Sequence, residues 1–207
     1  MILDVLAVGP FAANCYIVAA ADGGSCVVID PGDECPEIEA ALRRRSLSPE
    51  LVLFTHSHAD HIGAAGDLLE NYLSAVIACS AGTDRRARDP KLNLSAFLLT
   101  PMAAPAAGRI LADGETFSAA GLEWTATEIP GHDPGELVYR VGNAVFTGDT
   151  VFAGSIGRGD FPGGDAGALV RVVRRYLQAI PAETVLYPGH GPATTAGAEL
   201  ASNPFLM

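Results

Sequence analysis

The sequence predicts an α/β fold in which a pair of sheets packs face to face, and three observations carry that reading. Short apolar runs of strand length recur along the chain and amphipathic helical patterns are interspersed among them. At 207 residues the chain has ample length for one hydrophobic core, so a single domain over 1–207 is expected. Finally, each cluster of metal-capable side chains directly follows one of the apolar runs, which would bring these groups together at one edge of the packed sheets.

Taken in order, Ile2 to Val8 and Cys15 to Ala20 read as strands joined by a turn at Gly9-Pro10. Ser25 to Ile29 is a third strand, stopped by Asp30-Pro31-Gly32; Asp30 reads either as a carboxylate behind a ligand or as a turn former. Pro36 to Arg45 reads as a helix, with proline in its first turn, Glu37 and Glu39 at the positive end of its dipole and Arg43 to Arg45 at the negative end. Leu51 to Phe54 is a buried strand, and Ile62, Ala65, Leu69, Tyr72 and Leu73 are spaced like one helical face. A short strand follows at Ala75 to Ala78. Gly82 to Gly108 mixes arginines, prolines and apolar residues, a texture suited to covering a site or a partner as well as to a plain surface loop. Ile110 to Phe117 and Leu122 to Ile129 are two further strands, and Glu136 to Val141 with Ala144 to Thr147 form a hairpin across Gly142-Asn143. Asp165 caps a helix reaching about Gln178, with Leu169, Val172, Val173, Tyr176 and Leu177 inward and Arg171, Arg174 and Arg175 outward. Thr184 to Tyr187 is the last strand, and the tail to Met207 is short.

Between the Leu51–Phe54 strand and the helix after it stands Thr55-His-Ser-His-Ala-Asp-His61. Three of the chain's five histidines lie in this stretch. His56 and His58, two residues apart on a strand-to-helix turn, can converge on one ion while Asp60 and His61 turn toward another. Imidazole with carboxylate suits zinc, iron or manganese, and a site short of protein ligands keeps a position for water. The remaining histidines lie in glycine-flanked turns after strands, His132 in Pro130-Gly-His-Asp-Pro-Gly135 and His190 in Pro188-Gly-His-Gly191, and Asp149 follows a strand in Gly148-Asp-Thr150. Seven groups are about what two ions need if one carboxylate bridges them and water completes each shell.

Composition excludes several classes. A net charge of −11 and a pI near 4.7 argue against nucleic-acid backbone and anionic membrane surfaces as partners. The uncharged stretch Val5 to Ala21, as long as any in the chain, contains Gly9-Pro10 and Asn14 and falls short of a membrane span. No basic region precedes an apolar one at the N-terminus, so no signal peptide is expected. Cys15, Cys26, Cys35 and Cys79 form no C-x-x-C and adjoin no histidine motif, as expected of buried free thiols in a cytoplasmic protein.

Together, the Thr55–His61 motif, Pro-Gly-His132, Gly-Asp149-Thr and Pro-Gly-His190-Gly resemble the metallo-β-lactamase superfold. The resemblance covers about the whole chain and implies a four-layer αββα sandwich, two mixed sheets face to face with helices outside. It also implies the ligand set: His56, His58 and His132 at one site, Asp60, His61 and His190 at a second, and Asp149 bridging. Within that superfold, Phe152 to Gly164, Asn14-Cys15-Tyr16, Asn93-Leu94-Ser95 and Asn203-Pro204-Phe205 resemble the short glyoxalase II-type hydrolases. The longer members of that group add a helical C-terminal region that helps hold glutathione, for which this chain has no counterpart after His190. Asp133 and Glu136 depart from the residues usual there and add negative charge near the site, either tuning metal preference or standing as neutral surface substitutions.

What the resemblance implies is a hydrolase with two divalent ions, zinc first and iron or manganese as alternatives, cleaving a thioester such as S-lactoylglutathione by attack of a metal-bound hydroxide. Asp60 would ligate and orient the nucleophile, Arg158 would either meet a substrate carboxylate or anchor its own loop by hydrogen bonds, and Phe161 would contact a small acyl-thiol substrate that can be glutathione-linked. A monomer or small homo-oligomer is expected. The rival from another class is a mononuclear iron persulfide dioxygenase of the same fold, using His56, His132 and Asp149 as a facial triad. A lactonase or β-lactamase is a second rival, weakened by the lack of a secretion signal and of a cysteine ligand. An RNA-cleaving member would need an extra domain and a basic surface, and a non-enzymatic metal-binding module would not need so complete a ligand set.

Overall fold

The structure, a computed structural model, describes residues 1–207. In chain order its elements are β1 (Ile2–Val8), β2 (Ala13–Ala19), β3 (Ser25–Ile29), α1 (Cys35–Arg44), β4 (Ser48–Leu53), α2 (Ala59–Ile62), α3 (Ala65–Asn71), β5 (Val76–Cys79) and α4 (Ala81–Ala87). There follow a 3-10 turn (Ser95–Phe97), β6 (Arg109–Ile110), β7 (Thr116–Ala119), β8 (Leu122–Glu128), β9 (Leu137–Val141), β10 (Ala144–Gly148), β11 (Val151–Phe152) and β12 (Ser155–Ile156). The chain closes with α5 (Ala166–Ala179), β13 (Val185–Pro188), β14 (Thr194–Thr195) and α6 (Ala196–Ser202).

Two six-stranded sheets form, in the orders β1-β2-β3-β4-β5-β6 and β14-β13-β10-β9-β8-β7. Both are mixed: β3 to β6 pair in parallel and β1 to β3 antiparallel, while in the second sheet β10 and β13 are the parallel pair. The period-two alternation of side chains builds the layers. In β3 and β4, Val27, Ile29, Leu51 and Leu53 face the second sheet, where they meet Trp124, Leu137, Tyr139 and Phe146 in the central core. Their neighbours Cys26, Val28 and Val52 point the other way, onto Ile38 and Leu42 of α1 and onto Ile62 and Ala65. Being covered on both faces, these central strands read as unbroken apolar runs. The far face of the second sheet carries Val138, Val145 and Leu186 against Leu169, Val173 and Leu177 of α5. The result is the helix–sheet–sheet–helix order that the family resemblance implies.

Several element boundaries differ from expectation. Ile110 to Phe117 is not one strand. Gly114, at φ +72°, turns the chain so that β6 ends the first sheet and β7 begins the edge of the second. The helix after the histidine motif is divided into α2 and α3, and Leu73 lies beyond its end, 90% exposed. The 82–108 segment is largely ordered by its own polar groups. Asn93 Nδ2 donates to the carbonyls of Ala87 and Met102, and Ser95 Oγ exchanges hydrogen bonds with the Met102 backbone. In the tail, α6 packs Ala196 against the α5 layer, and Asn203 Nδ2 donates to Ser155 O. No helix is long and apolar enough to cross a membrane.

Candidate metal centre

All seven predicted donor residues meet at one edge of the sheet pair, because each follows the end of a strand. His56 and His58 lie between β4 and α2, and α2 itself carries Asp60 and His61. His132 follows β8, Asp149 follows β10 and His190 follows β13. Donor atoms of His56, His58 and His132 lie within 4.8 Å of one another, as do those of Asp60, His61 and His190. Asp149 stands between the two groups: its oxygens are 3.6 Å from His132 Nε2 and 3.5 Å and 3.7 Å from the Nε2 atoms of His61 and His190. His132 Nε2 is 3.0 Å from His58 Nδ1, and His190 Nε2 is 3.3 Å from both His61 Nε2 and Asp60 Oδ2. Metal–nitrogen bonds of about 2.0–2.1 Å in a tetrahedron place neighbouring donors about 3.3 Å apart, so these spacings are those of coordination edges.

Groups behind the donors set which ring nitrogen is presented. His61 Nδ1 is 3.1 Å from Asp30 Oδ2, His132 Nδ1 is 2.8 Å from the Arg158 carbonyl and His190 Nδ1 is 3.2 Å from the Phe11 carbonyl. Each contact commits Nδ1 and turns Nε2 inward. His56 Nδ1 meets Thr55 Oγ1 at 3.0 Å, which leaves its buried Nε2 without any hydrogen-bond partner, and Asp149 Oδ1 is likewise buried and unpartnered. Polar atoms stripped of water and partners are costly, and divalent ions at these two positions would satisfy them. The donor set thus fits a pair of such ions.

The electrostatics point the same way. Burial, then the neighbouring imidazoles, pushes His56 far down and His58 to about 2, so both stay neutral and able to ligate. Burial also works against protonation of His61, but Asp60, Asp149 and Asp30 outweigh it and lift His61 to about 10. For Asp60 burial is again the largest influence; His61 and the hydrogen bond to His190 overcome it and hold the carboxyl below its ordinary range. The centre therefore concentrates negative potential where a cation belongs.

Several residues on which sequence reasoning was divided have definite places. Asp30 is a carboxylate behind a ligand: it accepts from Thr55 N at 2.8 Å and Thr55 Oγ1 at 2.7 Å as well as facing His61. Its φ of +51° also makes it a turn residue, so both readings hold. Glu136 is no surface substitution. It is fully buried, accepts from Asp149 N at 2.9 Å and lies 3.7 Å from His56 Nδ1, and burial with Asp149 and Asp133 pushes its carboxyl up. Asp133 is also buried; it accepts from Ser57 N and Ser57 Oγ and pairs with Arg86 Nε at 2.5 Å. Arg86 Nη2 in turn donates to the carbonyls of Leu92 and Pro162, joining α4, the 92–93 loop and the 162 loop behind the His58 turn. Nothing in its local sequence marks Arg86 as different from the exposed arginines beside it. Asn14 holds the His190 turn, donating to Pro188 O and Gly191 O, and Tyr16 Oη also donates to Pro188 O. At Gly189 a Cβ would come within 2.2 Å of Asp149 Oδ1, so the turn needs glycine.

A cavity of about 810 Å³ opens over the donors. Phe161 lines it and lies edge-on to His58 with ring centroids 5.3 Å apart. Arg158 also lines it, but its guanidinium donates to both oxygens of Asp160, at 2.6 and 2.7 Å, and only its backbone carbonyl reaches the centre, through His132. The 82–108 segment supplies Asn93, Leu94, Phe97 and Leu98 to the wall, and Asn93 O accepts from Ala59 N at 3.0 Å, so this segment covers the site.

Comparison with known proteins agrees with this geometry. The profile of the Metallo-beta-lactamase superfamily matches residues 8–190. The chain is 36% identical over 204 residues to the probable metallo-hydrolase YqgX of Bacillus subtilis, covering 96% of this chain and 94% of that protein. It is 30% identical over 216 residues to the hydroxyacylglutathione hydrolase GloC of Haemophilus influenzae, covering 100% and 98%. Among solved structures, the BLEG-1 B3 metallo-beta-lactamase superposes with a TM-score of 0.94 at 31% identity, with full coverage of both chains. TTHA1623 in a di-iron-bound form superposes with a TM-score of 0.86 at 36% identity, covering 98% of this chain and 100% of that one. In fold, in motif order and in the convergence of its histidines and aspartates, this chain belongs to the metallo-beta-lactamase superfamily.

Proposed function

We propose that the protein is a metal-dependent hydrolase that cleaves thioesters, with chemistry of the glyoxalase II type, at a centre for two divalent ions. The observation that carries the proposal is the position of Asp149 between two complete donor triads, within 3.5–3.7 Å of nitrogens from both. His56, His58 and His132 would hold one ion, Asp60, His61 and His190 the other, and Asp149 both. Zinc is our first assignment. The same donors suit iron and manganese, and the similarity to TTHA1623 in a di-iron-bound form supports keeping iron in view. The full-length similarity to a hydroxyacylglutathione hydrolase supports the thioester.

Ions bound there supply a water of lowered pKa and a Lewis acid for the carbonyl oxygen. The chain's own groups do the rest. The Asp60 carboxylate, held ionised by His61 and His190, accepts a hydrogen bond from the attacking water and orients it. Phe161, edge-on to His58, keeps bulk water from one side. A thiol of pKa about 8.5 leaves without needing a protein acid. No cysteine serves as nucleophile: all four are buried, and burial pushes Cys26 and Cys79 to about 12 and Cys35 to about 11. Four unpaired thiols also support a reducing, cytoplasmic setting.

The test is elemental analysis of the purified protein combined with thioester and persulfide substrates, S-lactoylglutathione among them. Turnover of thioesters with about two metals per chain is expected, and His58→Ala and Asp60→Ala should abolish it while circular dichroism shows a folded chain. Full thioesterase activity in either variant would refute the ligand roles. Oxygen uptake with glutathione persulfide and about one iron per chain would replace the proposal with a dioxygenase.

A further inference from the structure

The cavity over the donors is walled by carbon. Beyond the histidines and aspartates, Phe11, Leu94, Phe97, Leu98, Phe152 and Phe161 line it. Phe97 and Leu98 are left 79% and 42% exposed, an arrangement that favours intermittent cover by something apolar. A second cavity of about 500 Å³ adjoins the first, sharing Phe11, Ala59, Asp60 and Leu98 as walls and running on to Leu99 and Met102. The apolar trough therefore extends well beyond the reacting position.

The charges along the trough are the second observation. Arg158 is the one lysine or arginine on either wall, and Asp160 engages its guanidinium at both Nε and Nη2 while Phe161 stacks beneath, 4.2 Å from Cζ. Arg86, deeper in, is committed to Asp133. Asp33 and Asp60 line the second cavity, and the whole chain carries −11. Away from the metal centre the trough offers a single arginine, Arg158, and a substrate carboxylate would have to compete with Asp160 for it in an exposed pair. The glutathionyl arm carries two carboxylates, and burying it here would leave at least one of them without a cation even if Asp160 gave up Arg158 to the other.

We propose, resting on the thioesterase reading, that the substrate is a thioester of an extended hydrocarbon or aryl acyl group carried on an uncharged thiol arm, not a hydroxyacyl group carried on glutathione. The acyl chain lies along Leu98, Phe97 and Phe11 toward Leu99. Water supplies the new oxygen: the C–O bond forms, the C–S bond breaks, and the products are the carboxylate, the thiol and a proton. No oxidant or reductant enters.

The test compares acetyl, butyryl and octanoyl thioesters of N-acetylcysteamine with S-lactoylglutathione on the metal-loaded protein. The value of kcat/KM should rise about two- to fourfold per methylene buried, and octanoyl-N-acetylcysteamine should exceed S-lactoylglutathione by about tenfold or more. In Leu98→Asp the octanoyl-to-acetyl ratio should collapse toward one. Calorimetry with the unreactive thioether S-octyl-N-acetylcysteamine gives a readout independent of turnover, and it should bind about tenfold or more tighter than S-methylglutathione. Preference for S-lactoylglutathione, or a flat chain-length series, overturns the inference and leaves the hydrolase reading standing. Turnover of no thioester at all overturns the hydrolase reading itself, and the inference with it.

Discussion

Asp30→Asn isolates how much the carboxylate behind His61 contributes. Asn is close in shape to Asp and tolerates the φ of +51° at this position, so backbone strain does not enter. Asp30 accepts three contacts, from Thr55 N at 2.8 Å, Thr55 Oγ1 at 2.7 Å and His61 Nδ1 at 3.1 Å. The amide of Asn keeps one oxygen acceptor, and its NH2 group then faces donors on the other side. Hydrogen bonds to a charged group contribute about 1.5–3 kcal/mol each, and a buried donor left without a partner costs about 1–3 kcal/mol. Because Asn keeps part of the network, the expected net loss is about 2–4 kcal/mol. In a domain of this size each kcal/mol moves Tm by about 2–4 °C, so Tm should fall by about 4–16 °C. With the His61 ring no longer anchored, affinity for metal should fall by about 10–100-fold. Thermal unfolding at matched metal content and chelator competition measure the two effects separately. A variant within about 0.5 kcal/mol of wild type, with unchanged metal affinity, would refute the role given to Asp30.

Gly189→Ala should leave the fold intact but lower metal content and turnover together, since its Cβ falls 2.2 Å from Asp149 Oδ1; normal metal content would contradict the close approach. Arg86→Met leaves Asp133 buried without its cation and should cost about 3–5 kcal/mol in denaturant unfolding. Substituting Asp133→Asn in the same chain should recover part of that loss, and a second change that adds to the damage would show that the pair is not coupled. Removing metal with a chelator should lower Tm and abolish turnover, because ions held only by the folded chain stabilise it and because His56 Nε2 and Asp149 Oδ1 are then buried without partners, and re-addition of zinc, iron or manganese should restore both. An unchanged Tm after complete metal removal would count against a centre coupled to the fold.

The strands that position the site were legible because each is a short apolar run ended by glycine, proline or a polar motif, and local patterning needs no knowledge of partners. Where the chain changed sheets the strand reading failed: reading Ile110 to Phe117 as one strand passes over the turn signal Asp113-Gly114 within it, and Gly114 sends its halves into different sheets. Leu73 fits a helical face but falls past the last turn, and the self-bonded segment from Asn93 to Met102 owes its order to side chain–backbone bonds that no periodicity reports. The donor residues themselves were readable from type and spacing, since histidines in glycine-bracketed turns after strands have few structural uses.

The sequence alone determined the layered α/β architecture and the identity of the candidate donors, because alternation, turn chemistry and motif spacing are local properties. Only the tertiary structure decided how those donors share space. Asp149 lies between two triads drawn from the ends of different strands, Asp133 meets Arg86 from another element, Glu136 is buried under His56, and the trough's single arginine is engaged by its neighbour Asp160. The contacts at the centre join residues far apart in sequence, 129 positions for His61 with His190 and 179 for His190 with the Phe11 carbonyl. Strand order and register across two sheets create such contacts, and neither can be read from any one stretch of chain.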